Sequence, residues 1–357
     1  MKKLVTLVLV LLLAVAFTAP KAQAAKFELG DDSWMKLNFL GQVHYSFQDD
    51  AADEHDFFLR RGRFILSGQI MDGVKFFVET DNDNLGKNGV SSSMDIQDAF
   101  VDVRLGQTTH WVEAGLILLP FSQETISSAA SLLGIDYNAE VVKLTNTYVW
   151  RDYGAMLRGT IADKVAYRIG VFDGYETSTK NSDADLRLTG HISAALIGDL
   201  KEAAWFLGQD QLGKSNYLVI GGGYDTQENA TSVTTTSTAG VTTTTISDSK
   251  AWVVDMQGAY SLGELSLGKT DVILNGAYYD WDGTYKGKTG FVEGGIRVNK
   301  AMLTAKYSNQ DADNVDKIED VTVGLHYFLK DHNAKAGIEY RTGDSADLVL
   351  VGLQFLL

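Results

Sequence analysis

The feature that most restricts this chain is a period of two in hydrophobicity, repeated from one end to the other. Met35, Leu37, Phe39, Val43, Tyr45 and Phe47 share one parity, and Lys36, Asn38, Gln42, His44 and Ser46 share the other. The pattern returns at Val321, Val323, Leu325, Tyr327 and Leu329 against Thr322, His326 and Lys330, and again at Val349, Val351, Leu353, Phe355 and Leu357. Successive side chains of a strand point to opposite faces, so each segment has one apolar face and one polar face. About 16 such segments follow one another, the first near 33–47 and the last near 346–357. Sustained helical periodicity is scarce, and beyond the N-terminus no apolar run is long enough for a transmembrane helix.

The connections sort by parity. Odd-numbered segments are mostly followed by longer polar loops, and even-numbered ones mostly by tight turns such as Met71-Asp72-Gly73 or Ala162-Asp163-Lys164. A soluble sandwich has no reason to sort its loops this way. An outer-membrane barrel does: its turns are short on one side and long on the other, and its outside is apolar around a polar lumen. The expected fold is therefore all-β, a transmembrane antiparallel β-barrel of about 16 strands. Trp34, Tyr45, Tyr153, Trp252, Tyr260, Trp281 and Tyr327 near strand ends suit the aromatic girdles of such barrels. Two connections are long. Pro120 to Asp152, the third outer loop, contains a small-residue run at Ser127 to Leu133 that could form a short helix. It also carries Ile126, Leu132, Leu133, Ile135, Val141 and Val142, which favour burial, so it is expected to fold into the pore, with Asp136, Glu140 and Lys143 as constriction-loop candidates. Thr231 to Thr245, Ser/Thr-rich, reads as a mobile outer loop.

Lys2 and Lys3, the apolar stretch Leu4 to Phe17 and Ala22-Gln23-Ala24 spell a secretory signal over residues 1–24, leaving 25–357 as the barrel domain. The apolar stretch is too short to span a bilayer, which takes about 20 residues. Removal of 1–24 takes three lysines and no acid, leaving 28 bases against 46 acids, a net charge of −18. So acidic a chain is not a nucleic-acid binder. Having no cysteine, it excludes disulfide scaffolds, thiol nucleophiles, Cys-ligated metals and c-type haem. The expected location is the outer membrane of a Gram-negative-type bacterium.

A charge at the bilayer midplane costs about 2 to 4 kcal/mol, so charged residues of a strand belong to the lumen. That rule gives a wall with about six more bases than acids. Arg61, Arg63, Arg158, Arg168 and Arg187 cluster in neighbouring strands as the basic side of the pore. Focused by low-dielectric walls, such a field raises anion occupancy and predicts a mild anion preference. The alternative is that these arginines brace the barrel by pairing with lumen acids and with loop carboxylates such as Asp136 and Glu140. Gly263, Gly268, Lys269 and Thr270 match the P-loop spelling, but a strand follows where a helix is required. Asp81, Asp83 and Gly86 echo a calcium loop that lacks its later ligands, and the six histidines show no paired spacing. No cofactor or metal is expected, and no nucleophile elbow appears.

Leu59-Arg60-Arg61-Gly62-Arg63-Phe64 with Gly68, Glu113-Ala114-Gly115 leading to Pro120-Phe121-Ser122-Gln123-Glu124, Arg151-Asp152-Tyr153-Gly154 and Gly170-Val171-Phe172-Asp173-Gly174 occur in this order. In these motifs the chain resembles the porin O/P family, which includes phosphate-selective porins. The resemblance implies a 16-stranded barrel, often trimeric, that passes small solutes. The family's phosphate selectivity relies on ladders of basic residues, and no Lys-rich loop here matches them. Gly352, Phe355 and Leu357 resemble the closing-strand signal of outer-membrane proteins, with Leu in place of the usual terminal Phe. The expected function is a water-filled channel for passive diffusion of small hydrophilic solutes, with a mild preference for anions such as phosphate. Its expected partners are anionic or neutral solutes, outer-membrane lipid and lipopolysaccharide, the barrel-insertion machinery and two further copies of itself. The alternatives are a structural barrel sheathing a periplasmic redox protein, or a barrel hydrolase using His44 or His55 near the outer rim.

Overall fold

In the computed structural model the described residues are 25–49, 54–87, 93–144, 149–175, 181–200, 205–236 and 242–357, so the signal assigned to 1–24 lies outside them. Hydrogen-bonded strands close on themselves. After the short β1 (Ala25–Glu28) come β2 (Trp34–Gln48), β3 (His55–Met71), β4 (Val74–Asp81), β5 (Asp95–Arg104), β6 (Trp111–Leu118), β7 (Arg151–Ile161), β8 (Val165–Phe172) and β9 (Arg187–Ile197). The circuit continues through β10 (Tyr217–Thr236), β11 (Thr242–Leu265), β12 (Gly268–Asp282), β13 (Lys286–Val298), β14 (Ala301–Ala312), β15 (Ile318–Lys330), β16 (Ala334–Gly343) and β17 (Leu348–Leu356). Each strand from β2 to β17 pairs antiparallel with the next, and β17 pairs with β2. This is a closed cylinder of 16 staves with no free edge. The seam is divided: β2 offers Leu40–Gln48 to β17 and Trp34–Leu37 to β1, so β1 and β17 share one stave.

The alternation in sequence becomes inside and outside. On β15, Val321, Val323, Leu325 and Tyr327 are exposed, while Thr322 and His326 are buried. The apolar belt is therefore the lipid-facing surface, and Tyr153, Trp252, Tyr260 and Tyr327 lie on it. Trp281 does not: it is inward, donating to Thr289 Oγ1 at 2.8 Å, because β12 reaches its lumenal parity there. The Thr-rich tract also departs from expectation. Thr231–Thr236 pairs with Thr242–Ser247, extending β10 and β11 well beyond the belt. Threonine is β-branched and suits a pleated ribbon even where there is no core to pack. The P-loop spelling falls on the β11–β12 hairpin, where Gly263 and Gly268 take φ of 78° and 121°, a region that favours glycine. Ser127 to Leu133 forms turns, not a helix.

The expected sorting of connections holds only in part: at the outer mouth β4–β5, β6–β7 and β8–β9 are joined by 13, 32 and 14 residues (82–94, 119–150 and 173–186), but the other five connections there have six or fewer, because those strands themselves run on past the belt. Six turns at the mouth nearest β1 have six residues or fewer, but the β9–β10 connection runs from Gly198 to Asn216. Its described part, from Trp205 onward, does not hang below the barrel.

Candidate functional site: a lumen entered from both mouths

The loop between β6 and β7 touches wall strands on every side. Gln123 N and Nε2 donate to Asp255 of β11 at 2.7 and 2.9 Å. Ile135 N donates to Glu339 of β16 at 2.8 Å, and Lys335 Nζ to Leu132 O at 3.1 Å. Gln42 of β2 and Gln354 of β17 donate to Ala129 O and Ala130 O at 3.0 and 2.8 Å. A segment that meets opposite walls of a closed cylinder lies inside it. Apolar chemistry explains why: Phe121, Ile126 and Val141 are almost wholly buried, in one cluster with inward Val253, Tyr279, Trp281 and Phe291 of β11 to β13. Neither set could face water cheaply, and burying each side chain against the other stabilises by about 1.5–3 kcal/mol. The β10 wall admits the loop only because it is bare at the crossing. A Cβ on Gly223 would lie 1.9 Å from Phe121 O.

Of the loop residues singled out by sequence, Asp136 and Glu140 face the outer part of the lumen, while Lys143 Nζ sits 5.2 Å over the Tyr285 ring. Asp136 is clamped by Arg60 and by Arg61, the latter at 2.8 Å. Burial pushes its carboxyl up, yet Arg61 and Arg60 outweigh that and hold it well below the usual range. Glu140 pairs with Lys306 at 2.9 Å. Glu124 is buried and close to Glu293, which together push it up to about 8.

The five arginines assigned to the pore all point inward and are buried. Arg61 also donates to Gln42 at 2.7 Å. Arg63 pairs with Glu79 and Asp81, both at 2.8 Å. Arg158 pairs with Glu113 at 3.0 Å and with Asp102. Arg187 grips Asp225 with two bonds of 2.7 and 2.8 Å. Arg168 donates to Trp205 O at 3.1 Å. Parity counting missed several lumenal charges. Arg60 joins Arg61 inside because a bulge at Gln42/Val43 gives β3 one extra residue there, the one device that lets consecutive residues share a face. Asp81 and Asp225 are also inward, and the loops add Glu124, Asp136, Glu140 and Asp210. These acids erode the expected excess of six bases. Asp81 and Asp83, the start of the calcium-loop echo, are taken by Arg63 and Arg60.

Sequence reading also missed a second intruder. Trp205–Leu212 of the β9–β10 connection reaches up the lumen and meets the β6–β7 loop. Leu207 N donates to Ile126 O and Ser128 N to Leu207 O, both at 2.8 Å, and Gln209 N and Asp210 N donate to Ser131 O at 3.2 and 3.1 Å. Gln209 Nε2 donates to Glu124 at 2.6 Å, and Gln209 Oε1 accepts from Leu133 N at 3.1 Å. Asp210 meets Arg297 at 2.7 and 2.8 Å. Trp205 Nε1 donates to Asp102 at 2.9 Å, and the Trp205 and Phe206 rings lie 5.4 and 5.2 Å from Phe77. The sequence signal was three consecutive large apolar residues, Trp205-Phe206-Leu207, in a connection at an aqueous mouth.

Two chambers flank this junction. The outer one, about 690 Å³, is lined among others by Arg60, Lys87, Lys306 and Arg341 and by Asp56, Asp136, Glu140 and Glu339. Among the described residues neither Lys87 nor Arg341 pairs with a carboxylate. The inner one, about 150 Å³, is bounded by Arg168, His191, Gln211 and Tyr217. This arrangement carries solutes past charged walls; it holds no cluster of metal-ligating residues among those described.

No curated protein matches the chain in sequence. Solved structures do match in fold. A loop L8 deletion mutant of OmpT, an outer-membrane protein of Vibrio cholerae, superposes with a TM-score of 0.59 at 15% identity over 92% of this chain and all of that one. The in-vitro folded trimer form of OmpT gives 0.58 at 13% identity over 92% of this chain and all of that one. The anion-selective porin from Comamonas acidovorans gives 0.58 at 16% identity over 91% and 100%. At such identities these likenesses speak for the fold. The family profile described as phosphate-selective porin O and P spans residues 35–345, from the second strand to the last outer turn. With a closed 16-stave wall, an apolar belt and a charged interior, the chain belongs to the porin O and P family, an outer-membrane channel rather than an enzyme.

Proposed function

We propose that the protein lets small hydrophilic solutes diffuse across the outer membrane with a mild preference for anions such as phosphate. The observation that carries this reading is the outer chamber, where Arg60, Lys87, Lys306 and Arg341 converge and two of the four have no acidic partner among the described residues. Arginine forks suit phosphate and carboxylate. Deeper in, Arg61, Arg63, Arg158, Arg168 and Arg187 serve as a lining whose charge is largely balanced by carboxylates, so the preference stays mild. The β6–β7 loop acts as the constriction, with Asp136 and Glu140 on its outer side. Residues 1–24 serve as a signal cleaved on export, the barrel spans 25–357, and the insertion machinery recognises its last strand. Three copies assemble in lipid and lipopolysaccharide, a state that one structural neighbour's name also records. No hydrolytic activity accompanies transport. Reversal potentials in planar bilayers across a salt gradient test the reading: the expected sign is that of modest anion selectivity, and a cation-selective wild type would overturn it.

A further inference from the structure

We propose that the channel is gated from its short-turn mouth, with Trp205–Leu212 as the movable half of the occlusion and the β6–β7 loop as the fixed half. The inference rests on the porin reading. Both segments meet at mid-lumen through main-chain hydrogen bonds, in a parallel bridge between Ser127 and Leu207, which separates the two chambers. One half must yield for solute to pass, and burial says which. The loop's Phe121, Ile126, Leu132 and Leu133 have lost 98% or more of their exposure and are wedged among wall side chains of several strands. Trp205, Phe206, Leu207 and Leu212 are only half-buried, so withdrawing them exposes less new apolar surface. The segment's own side-chain ties are concentrated on three residues, Gln209 on the loop, Asp210 on Arg297 and Trp205 on Asp102, and the rest of its polar contacts, to Ile126, Ser128, Ser131, Arg168, Tyr217 and His332, run through its main chain. A connection of this length, among six short turns at the same mouth, is the kind of element that serves as a lid.

The chain has no cysteine, so a Ser127→Cys, Leu207→Cys pair introduces a single possible disulfide. Bridge-paired strands lie about 4.8 Å apart, within the about 4.4–6.8 Å between Cα atoms that a disulfide spans. The purified, detergent-folded variant is placed in planar bilayers, bond formation is confirmed by mass spectrometry, and folding by heat-modifiable migration. With the bond formed, single-channel conductance is expected to fall at least tenfold below wild type and to recover on adding a reductant. Asp210→Asn, which loosens the tie to Arg297 without a cross-link, is expected to raise the open fraction several-fold. Equal conductance with the bond formed and reduced, in protein that conducts like wild type, overturns the gate and leaves the porin reading standing. Absence of conductance in folded wild type overturns both.

Discussion

Asp136→Asn isolates one charge in the outer chamber. Asparagine keeps the shape and can still accept from Tyr137 N, while Arg60 retains Asp83 and Arg61 retains Gln42. Breaking a buried pair costs about 3–5 kcal/mol; Asp136 is a quarter exposed and both guanidinia keep another partner, so the cost should fall below that range. The loop should therefore stay in place and the charge effect dominate. A unit charge about 7 Å from a passing ion in water contributes about 0.6 kcal/mol. At 0.1 M salt, with a Debye length of about 10 Å, roughly half of this survives. Anion occupancy then rises, and cation occupancy falls, by a factor of about 1.7 each, giving an anion-to-cation permeability ratio about threefold higher than wild type. At 1 M salt, where the Debye length is about 3 Å, the difference should vanish. The assay is the reversal potential at both salt levels. An unchanged ratio at 0.1 M, in a variant whose conductance shows the loop in place, would refute the idea that this chamber sets selectivity.

Three other outcomes follow from the packing. Gly223→Ala places a methyl group against Phe121 O and should destabilise the barrel by about 1–3 kcal/mol, read as a lower midpoint of heat-modifiable migration. Arg63→Ala leaves Asp81 buried without its guanidinium and Glu79 with only the more distant Arg151, at 3.9 Å; the loss, about 3–5 kcal/mol, should appear as a lower urea midpoint, and a midpoint equal to wild type would refute the pairing. Glu124 is held up to about 8, so the stability it lends to the loop junction is fully present below the ordinary carboxylate range and is lost as pH rises towards and through about 8. Charging it sets it against Glu293 and Glu140, with Lys306 as the opposing cation and Asn138 and Gln209 as its donors. Conductance should grow more open between pH 6 and 9, and Glu124→Gln should flatten the profile.

Much of the fold was legible because a bilayer enforces strict alternation: lipid on one side and water on the other leave each strand residue a single choice. All 16 staves were placed from parity alone. Most of what escaped lies where parity does not rule; Trp281 obeys it, on the lumenal face of β12. Arg60 is absent from the lumenal bases that parity gives, because a bulge is a local change in count that hydrophobicity does not announce. Trp281 looked like a girdle residue, since a tryptophan near a strand end is equally at home against lipid or against a loop. The Thr tract was read as mobile because low complexity was weighed above β-branching. The β9–β10 intruder was missed because its anchors, such as Arg297 with Asp210 and Glu124 with Gln209, join residues 85 or more positions apart. Those partners are fixed by the cylinder, and only after it has closed.

The divided stave imposes an order on biogenesis. Since Ala25–Glu28 and Leu348–Leu356 flank the same edge of Trp34–Gln48, sealing brings these two segments, some 320 positions apart in sequence, to one place. Until then the nascent sheet is an open ribbon whose two margins each present unpaired amides and carbonyls, which hydrocarbon does not tolerate. Delivery of Leu348–Leu356 is therefore the committing event, and removal of that strand should strand the whole protein in the periplasm for proteolysis.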